Sequence, residues 1–110
     1  MIQEIKTSWI AGLLEGEGCF SYRHDKNYAS IQFNTTDFDI MSKYITYLRE
    51  LGFDIKNKIV KLKKKKPTHK QGYSIEITSK KAIGIMKLIS PYMGIRRKNK
   101  IEEIIYDSHI

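Results

Sequence analysis

Apolar and polar positions follow the spacing of helices in some segments of the chain and the spacing of strands in others. The first helix is predicted over residues 7–17, which Thr7 or Ser8 can cap and Gly18 ends. This segment is almost wholly apolar, so a helix formed by it does not suit a wet surface. We therefore expect it to be buried against other elements.

A β-hairpin is predicted to follow this helix directly. Residues 19–24 and 30–34 alternate with a period of two, and residues 25–27 between them favour a turn. Large apolar side chains fall on one face of both strands. The opposite face carries polar and basic side chains, namely Ser21, Arg23, Ser30, Gln32 and Asn34.

A second helix and a second strand pair come next. Asp37 or Asp39 can cap a helix that ends at Leu51, because apolar residues repeat there at three- and four-residue spacing. The strand pair is predicted over residues 58–63 and 72–78, where apolar and polar residues again alternate in the second strand.

The last segments complete an α+β domain that occupies residues 1–110. Ser79 is predicted to cap a third helix, Pro91 to break it, and a final helix to begin near Gly94. The order is therefore αββαββα with a terminal helix. Strand pairs separated by helices place the helices on one face of an antiparallel sheet and leave the opposite face open.

Charge and composition narrow the classes of protein to which the chain can belong. Its 110 residues include 20 Lys and Arg against 12 Asp and Glu, which gives a net charge of +8. This excess favours a polyanionic partner, because each phosphate that is neutralised releases condensed counterions. Charge alone leaves open a basic protein with no specialised partner.

The sequence favours an intracellular protein, cytoplasmic or organellar, with no membrane partner. No stretch approaches the roughly 18 consecutive apolar residues that span a membrane. The single cysteine, Cys19, excludes an internal disulfide framework and a Cys-rich zinc site, and we expect its side chain to be buried.

The open face of the predicted sheet mixes short hydrogen-bonding groups with long cations. Lys61 and Lys63 are predicted to join the polar hairpin residues there, and Lys65 extends the basic surface into the loop at residues 63–70. Such a mixture can reach base edges and phosphates, and a sheet or two-stranded ribbon fits the major groove of DNA. An ordinary solvated face with a flexible basic loop is the alternative.

Residues 10–18, Ile-Ala-Gly-Leu-Leu-Glu-Gly-Glu-Gly, break several rules of helix formation. Each glycine inside a helix costs roughly 1 kcal/mol relative to alanine. Glu15 and Glu17 stand at the negative end of the helix dipole, which favours cations over carboxylates. A divalent cation, Mg²⁺ or another, would offset this conflict, since Mg²⁺ suits a carboxylate site that keeps waters and accepts phosphate oxygens. Ordinary surface charge is the alternative for the two glutamates.

Small residues on one face of this helix predict a contact between helices. Gly12 and Gly16 are four residues apart, so they share a face that another backbone can approach closely. The chain holds no second copy of the segment, so the partner would be the same helix of a second subunit related by a two-fold axis. The predicted dimer interface consists of Trp9, Ala11, Gly12, Leu13, Glu15 and Gly16.

Residues 10–18 resemble the motif of the LAGLIDADG homing endonucleases, with a conservative replacement at each differing position. Cys19 and Phe20 resemble the usual continuation of that motif, and the order of helices and strands is also similar. Residues 91–93, Pro-Tyr-Met, followed by residues 96–98, Arg-Arg-Lys, are a further similarity. The resemblance covers nearly the whole chain, and it is to members with one motif, which act as homodimers.

This resemblance implies a saddle-shaped antiparallel sheet seated in the major groove, with the motif helices packed at the dimer interface. It implies that Glu17, with Gly16 beside it, binds the catalytic divalent metal, whereas Glu15 serves helix-end or interface contacts. Arg96 stands where the family has a basic residue near the phosphate.

Two features stay open under the resemblance. Asp37 stands where the family commonly has a glutamine that positions water, and an acid there could take part by binding metal or could weaken cleavage by repelling the phosphate. Arg97 and Lys98 are either phosphate contacts or the cationic start of an exposed helix.

The resemblance therefore implies a sequence-specific, Mg²⁺-dependent endonuclease that cuts double-stranded DNA as a homodimer at a long, nearly palindromic target. The palindrome follows from the two-fold symmetry of the dimer. The alternative is a non-cleaving nucleic-acid-binding protein of the same fold, such as an intron RNA maturase or a DNA-binding regulator. Intact Glu17 favours the enzyme, whereas Asp37 leaves room for the binder.

Overall fold

The computed structural model describes residues 2–108 and confirms both the α+β class and the predicted order of elements. A short 3₁₀ turn that contains Pro91 separates the last two helices. The elements in chain order are α1 (Ile2–Glu17), β1 (Gly18–Arg23), β2 (Tyr28–Thr35), α2 (Phe38–Glu50), β3 (Val60–Lys61), β4 (Tyr73–Thr78), α3 (Ser79–Ile89) and α4 (Ile95–Ser108).

The four strands form one antiparallel sheet in the order β1-β2-β4-β3. Phe20 of β1 stands opposite Ile31 of β2, which in turn stands opposite Ile77 of β4, and all three are buried. The helices pack on this apolar face, since β2 contacts all four of them. The other face of the sheet is left uncovered, as the pattern predicts, and we call it the open face.

The core between sheet and helices is built around large apolar side chains. Ile10 and Leu14 of α1 are fully buried, and the ring of Tyr44 from α2 packs against Phe33 with ring centroids 4.9 Å apart. The hydroxyl of Tyr44 has no hydrogen-bond partner among residues 2–108. Burial raises the pKa of the Tyr44 phenol well above its usual range, so the group stays neutral in the core.

The first helix is longer than predicted, because α1 begins at Ile2 and not at residue 7. Thr7 is buried inside the helix, and the hydroxyl of Ser8 donates to the carbonyls of Glu4 and Ile5 at 2.8 and 3.2 Å. Neither residue is a cap. The additional residues 2–6 are mostly exposed and include three polar side chains, so the pattern of buried apolar residues does not predict that they are helical.

The second helix has the predicted boundaries. Asp37, and not Asp39, is its cap, since Oδ1 of Asp37 accepts hydrogen bonds from the backbone N–H groups of Asp39 and Ile40 at 2.9 and 3.3 Å. Gly52 follows the helix with a φ of 102°, a left-handed conformation that favours glycine and ends the helix.

The strand predicted over residues 58–63 is reduced to Val60–Lys61. Side chains hold the segment before it in place of a strand ladder, because Asn57 donates to the carbonyl of Glu76 at 2.8 Å and Arg49 donates to the carbonyl of Ile55 at 2.9 Å. The segment is thus attached to the sheet with few backbone pairs.

Ser79 is the first residue of α3 and does not cap it. Thr78 holds the cap position without a side-chain hydrogen bond, and Ser79 has a φ of 63°. This left-handed residue turns the chain directly from β4 into α3, which local sequence preference for a serine cap did not anticipate. No helix among residues 2–108 is long and apolar enough to cross a membrane.

Candidate nucleic-acid interface and catalytic carboxylates

The two glutamates at the end of α1 have different surroundings. Oε1 of Glu15 accepts a hydrogen bond from the backbone N–H of Gly94 at 2.5 Å, and Oε2 lies 3.5 Å from Nε of Arg97. Gly94 precedes α4, so this carboxylate meets the positive end of the α4 dipole and satisfies one of its free donors. Glu15 therefore joins α1 to α4, which agrees with its expected role in helix-end contacts.

Glu17 is exposed at the last position of α1, and within residues 2–108 it makes no side-chain hydrogen bond or ion pair. It lines an open groove of about 530 Å³ with Asn34, Thr35 and Thr36 from the end of β2. The negative end of the α1 dipole lies at the same place. The carboxylate thus stands in a groove whose lining mixes these polar residues with apolar ones, and no basic side chain of residues 2–108 forms an ion pair with it.

The donor set at Glu17 suits a site that a substrate completes. Residues 2–108 contain no cluster of three or more His, Cys, Asp or Glu side chains that would form a closed metal site. Mg²⁺ commonly binds through one or two carboxylates and takes its remaining ligands from water and phosphate oxygens. Glu17 and the free carbonyls of the last turn of α1, that of Gly16 among them, fit such an open site.

The other two predicted catalytic residues lie in different places. Arg96 is exposed and lines a groove of about 620 Å³ with Gly18 and Cys19, the residues that follow Glu17. Asp37 uses Oδ1 to cap α2, and the groove at Glu17 is lined by Thr36 and not by Asp37. The structure therefore brings Arg96 beside the end of α1 and leaves Asp37 as a helix cap.

Four of the five polar hairpin residues are available on the open face. Arg23, Gln32 and Asn34 are exposed there, and Ser21 is partly exposed. Ser30 points to the same face but is only 1% exposed, and its hydroxyl donates to Oε2 of Glu76 at 2.7 Å. Ser30 thus holds a neighbouring side chain and does not itself present a group to a ligand.

The placement of Lys61 on the open face is wrong. Lys61 pairs with Tyr73, whose ring packs on Phe38 on the helix side of the sheet, and it is Val60 that stands opposite Ser74 on the open face. A shift of one residue along a strand reverses its faces, and the basic segment around β3 has no clear alternation to fix the register. Lys63 and Lys65 follow β3 in the exposed loop.

The basic residues Arg97 and Lys98 at the start of α4 differ in exposure. The side chain of Arg97 is only 16% exposed, and its guanidinium lies 5.6 Å from the ring centroid of Phe20, beside Glu15. Arg97 is therefore largely packed against the protein, yet it also lines the groove of Arg96, and its role as a phosphate contact stays a prediction. Lys98 is exposed and remains available for such a contact.

One face of α1 is uncovered and lined by small side chains. Gly12 and Gly16 are exposed, and apart from the adjacent residues and backbone of α1 itself, no heavy atom of residues 2–108 stands within 4 Å of where a Cβ at either position would lie. Leu13 is partly buried beside this face. Ala11 is 1% exposed and points into the core, so its predicted place in a dimer interface is wrong.

Trp9 lies at the edge of this face and packs on α2. Its ring contacts Tyr47 edge-on with centroids 5.3 Å apart, and the ammonium of Lys43 lies 4.6 Å from the indole centroid. Trp9 is partly exposed, so a second helix that covers the glycines would also reach it.

Two residues of the open face were missed by the sequence reasoning. Cys19, expected to be buried, is exposed opposite Gln32, and Glu76 is exposed on β4 opposite the same glutamine. The signal was present in both cases, because each residue alternates with a large apolar neighbour that must point inward. These two residues and Gln32 form one row across the sheet.

Comparison with known proteins finds a family whose sequence model matches the chain and a solved structure with a similar fold. The sequence model of the LAGLIDADG endonuclease family matches residues 10–101. No curated protein is significantly similar in sequence. The crystal structure of the homing endonuclease I-CvuI, in complex with its target (Sro1.3) in the presence of 2 mM Ca, is similar with a TM-score of 0.56 and 13% identity, over 94% of this chain and 70% of that chain. At this identity the likeness shows a shared fold.

The different surroundings of Glu15 and Glu17 predict opposite effects on stability. Glu15→Ala removes the acceptor at the start of α4 and should lower the free energy of unfolding by about 1 kcal/mol. Glu17→Ala, the matched control, removes an unpaired carboxylate from a negative helix end and should leave stability unchanged or slightly raised. Urea unfolding at one protein concentration measures both. Equal losses in the two variants would show that Glu15 is not the structural member of the pair.

Proposed function

We propose that this chain, which belongs to the LAGLIDADG endonuclease family, cuts double-stranded DNA at a specific, nearly palindromic target as a homodimer that depends on Mg²⁺. The observation that carries the proposal is the exposed Glu17, which has no partner among residues 2–108, at the end of a helix whose neighbouring glutamate is already engaged. A structural pair of glutamates would not leave one carboxylate free beside a negative dipole.

The open face supports DNA as the partner. Its exposed Arg23, Gln32 and Asn34 belong to types that contact phosphates and the edges of bases, and the net charge of +8 favours a polyanion. Lys63, Lys65 and other exposed lysines of the loop between β3 and β4 extend the basic surface next to this face. The homing endonuclease with the similar fold is in complex with its target.

The uncovered face of α1 supports a homodimer. Each chain supplies one Glu17, so cutting both strands of a duplex calls for two copies of the chain. Packing Gly12 and Gly16 against the same residues of a partner lets the two helices approach closely and places both copies of Glu17 near the two-fold axis. The symmetric dimer then reads two similar half-sites, which explains a nearly palindromic target.

Glu17 and the carbonyl of Gly16 would hold the divalent ion. When bound there, the ion supplies Lewis-acid stabilisation of the negative charge that develops on the phosphate. Arg96, exposed at the start of α4 in the groove beside Gly18, would contact a phosphate oxygen and add positive charge there. Glu15 fixes the start of α4, and through it the position of Arg96. Any part of Asp37 in the reaction would go through Oδ2, which can hold a water, because Oδ1 caps α2 and the residue does not line the groove at Glu17.

One observation favours the alternative, a protein of the same fold that binds DNA or RNA without cutting. The carboxylate of Asp37 stabilises the start of α2, so its position can be retained for structure alone. A maturase or a regulator would keep the open face and the dimer while it lacked cleavage.

Cleavage separates the two functions. With Mg²⁺, the protein should linearise a plasmid that carries a target obtained by selection from random DNA. Glu17→Gln should reduce the cutting rate by about a thousandfold, the equivalent of several kcal/mol, while a gel shift with Ca²⁺ shows binding retained. Glu4→Gln removes the same charge about 20 Å away along α1 and should cut normally. Specific binding with no cutting by the unmodified protein would support the alternative.

The dimer is tested by filling the small-residue face. Gly12→Leu has space within one chain and improves helix propensity, so the fold should be retained while the second helix is excluded. Sedimentation should show a dimer for the unmodified protein and a monomer for this variant. Lys87→Leu adds the same side chain on the exposed surface of α3 and should leave the dimer intact. A monomeric unmodified protein, or a dimeric Gly12→Leu, would contradict the proposed interface.

A further inference from the structure

Glu76 is an acidic residue in the middle of a surface that should face DNA. It lies on β4, an inner strand of the sheet, and its side chain is exposed on the open face directly opposite Gln32. The other polar side chains on this face are neutral or basic, and a carboxylate toward the phosphates would weaken binding. A role in binding therefore calls for a hydrogen-bond donor on the DNA.

The structure holds this carboxylate in a defined position. Ser30, which is 1% exposed, donates to Oε2 of Glu76 at 2.7 Å, and Asn57 donates to the backbone carbonyl of Glu76 at 2.8 Å. A buried hydroxyl that orients an exposed carboxylate limits the entropy that the side chain would lose on binding. Ser30 thus acts as a positioning residue for Glu76.

Among residues 2–108, only Ser30 makes a hydrogen bond to the carboxylate of Glu76, and its other oxygen has no partner there. The amide of Gln32 donates to Ser74 at 3.3 Å and not to its direct neighbour Glu76. Within the part of the chain that the structure describes, no basic side chain forms an ion pair with Glu76. Oε1 therefore stays free to accept a hydrogen bond from a ligand.

Major-groove chemistry selects one base for such an acceptor. Cytosine presents its N4 amino group as a donor, whereas guanine and thymine present acceptor oxygens that repel a carboxylate. Adenine has a donor at N6 but an acceptor at N7 beside it. A fixed carboxylate therefore prefers cytosine and disfavours the other three bases.

We propose that Glu76 is a specificity-determining residue that accepts a hydrogen bond from the amino group of a cytosine, once in each half-site, with Ser30 holding it in place. This inference rests on the proposed function, since it needs the open face to lie in the major groove. Glu76 would then recognise a base of the DNA that the basic residues of the open face cannot recognise, because they carry no hydrogen-bond acceptor.

Selection from a library of random double-stranded DNA tests the assignment. The unmodified protein should enrich a motif with one C·G pair per half-site that Glu76→Gln no longer prefers, with the preference for cytosine reduced roughly fivefold or more and the other positions unchanged. Ser30→Ala should weaken the same preference to a smaller degree. Glu4→Gln, which removes the same charge far from the open face, should enrich the motif of the unmodified protein.

The outcomes distinguish this inference from the function on which it rests. If Glu76→Gln enriches the same motif as the unmodified protein, or if the affected position is not a C·G pair, the assignment of Glu76 is overturned while specific DNA binding stands. If the unmodified protein enriches no motif, the proposed function fails and the assignment fails with it. Circular dichroism of each variant confirms that the comparison is made on folded protein.

Discussion

Two carboxylates stand at the end of α1, where the helix dipole is negative, and the structure compensates only one of them. Glu15 meets the N–H of Gly94 and the guanidinium of Arg97 at the start of α4, whereas Glu17 projects into an open groove. Glu15 and Glu17 are two residues apart, and residues at that spacing lie on different sides of a helix. Their side chains therefore have different surroundings. One acid thereby supports the fold, and the other is left with unbalanced charge that a ligand can use.

The rest of the molecule places this end of α1 where it can act. The buried face of the helix packs on the sheet and on α2 and α3, so its last turn is fixed next to the strands. The strand β1 follows without a loop, which sets the open face directly beside Glu17. The opposite face of α1, at Gly12 and Gly16, is left without cover by the other elements of residues 2–108. The proposed catalytic carboxylate, the sheet and the proposed dimer contact are therefore all positioned by one helix.

The sequence predicts this arrangement well where the conformation of a residue depends on its own chemistry and on its neighbours along the chain. Apolar periodicity locates the four helices, and Gly52 and the cap at Asp37 follow from their backbone and side-chain chemistry. The conflict of glycines and acids in residues 10–18 identifies the important segment, and the family match confirms it.

Errors arise where the outcome depends on tertiary contacts. Lys61 lies on the helix side of the sheet because the pairing of β3 with β4 sets the face of each residue. The segment around β3 has no alternation of apolar and polar residues, so its sequence does not predict this register. The side chain of Arg97 is only partly exposed because Glu15 and Phe20 lie beside it, which its own neighbours in the sequence do not indicate. Ala11 adjoins Gly12 in the sequence but faces the core, because it lies on the same side of α1 as the buried Thr7 and Leu14.

We propose that Glu17, and not Glu15, is the carboxylate that binds metal on DNA. A crystal structure of the protein on its selected target, grown with Mn²⁺, tests it directly through anomalous scattering. We expect a Mn²⁺ peak in contact with the Glu17 carboxylate of each protomer, close to the two-fold axis, with Glu15 still bound to Gly94. Peaks at Glu15 or Asp37, or a Glu17 turned away from both metal and phosphate, would contradict it.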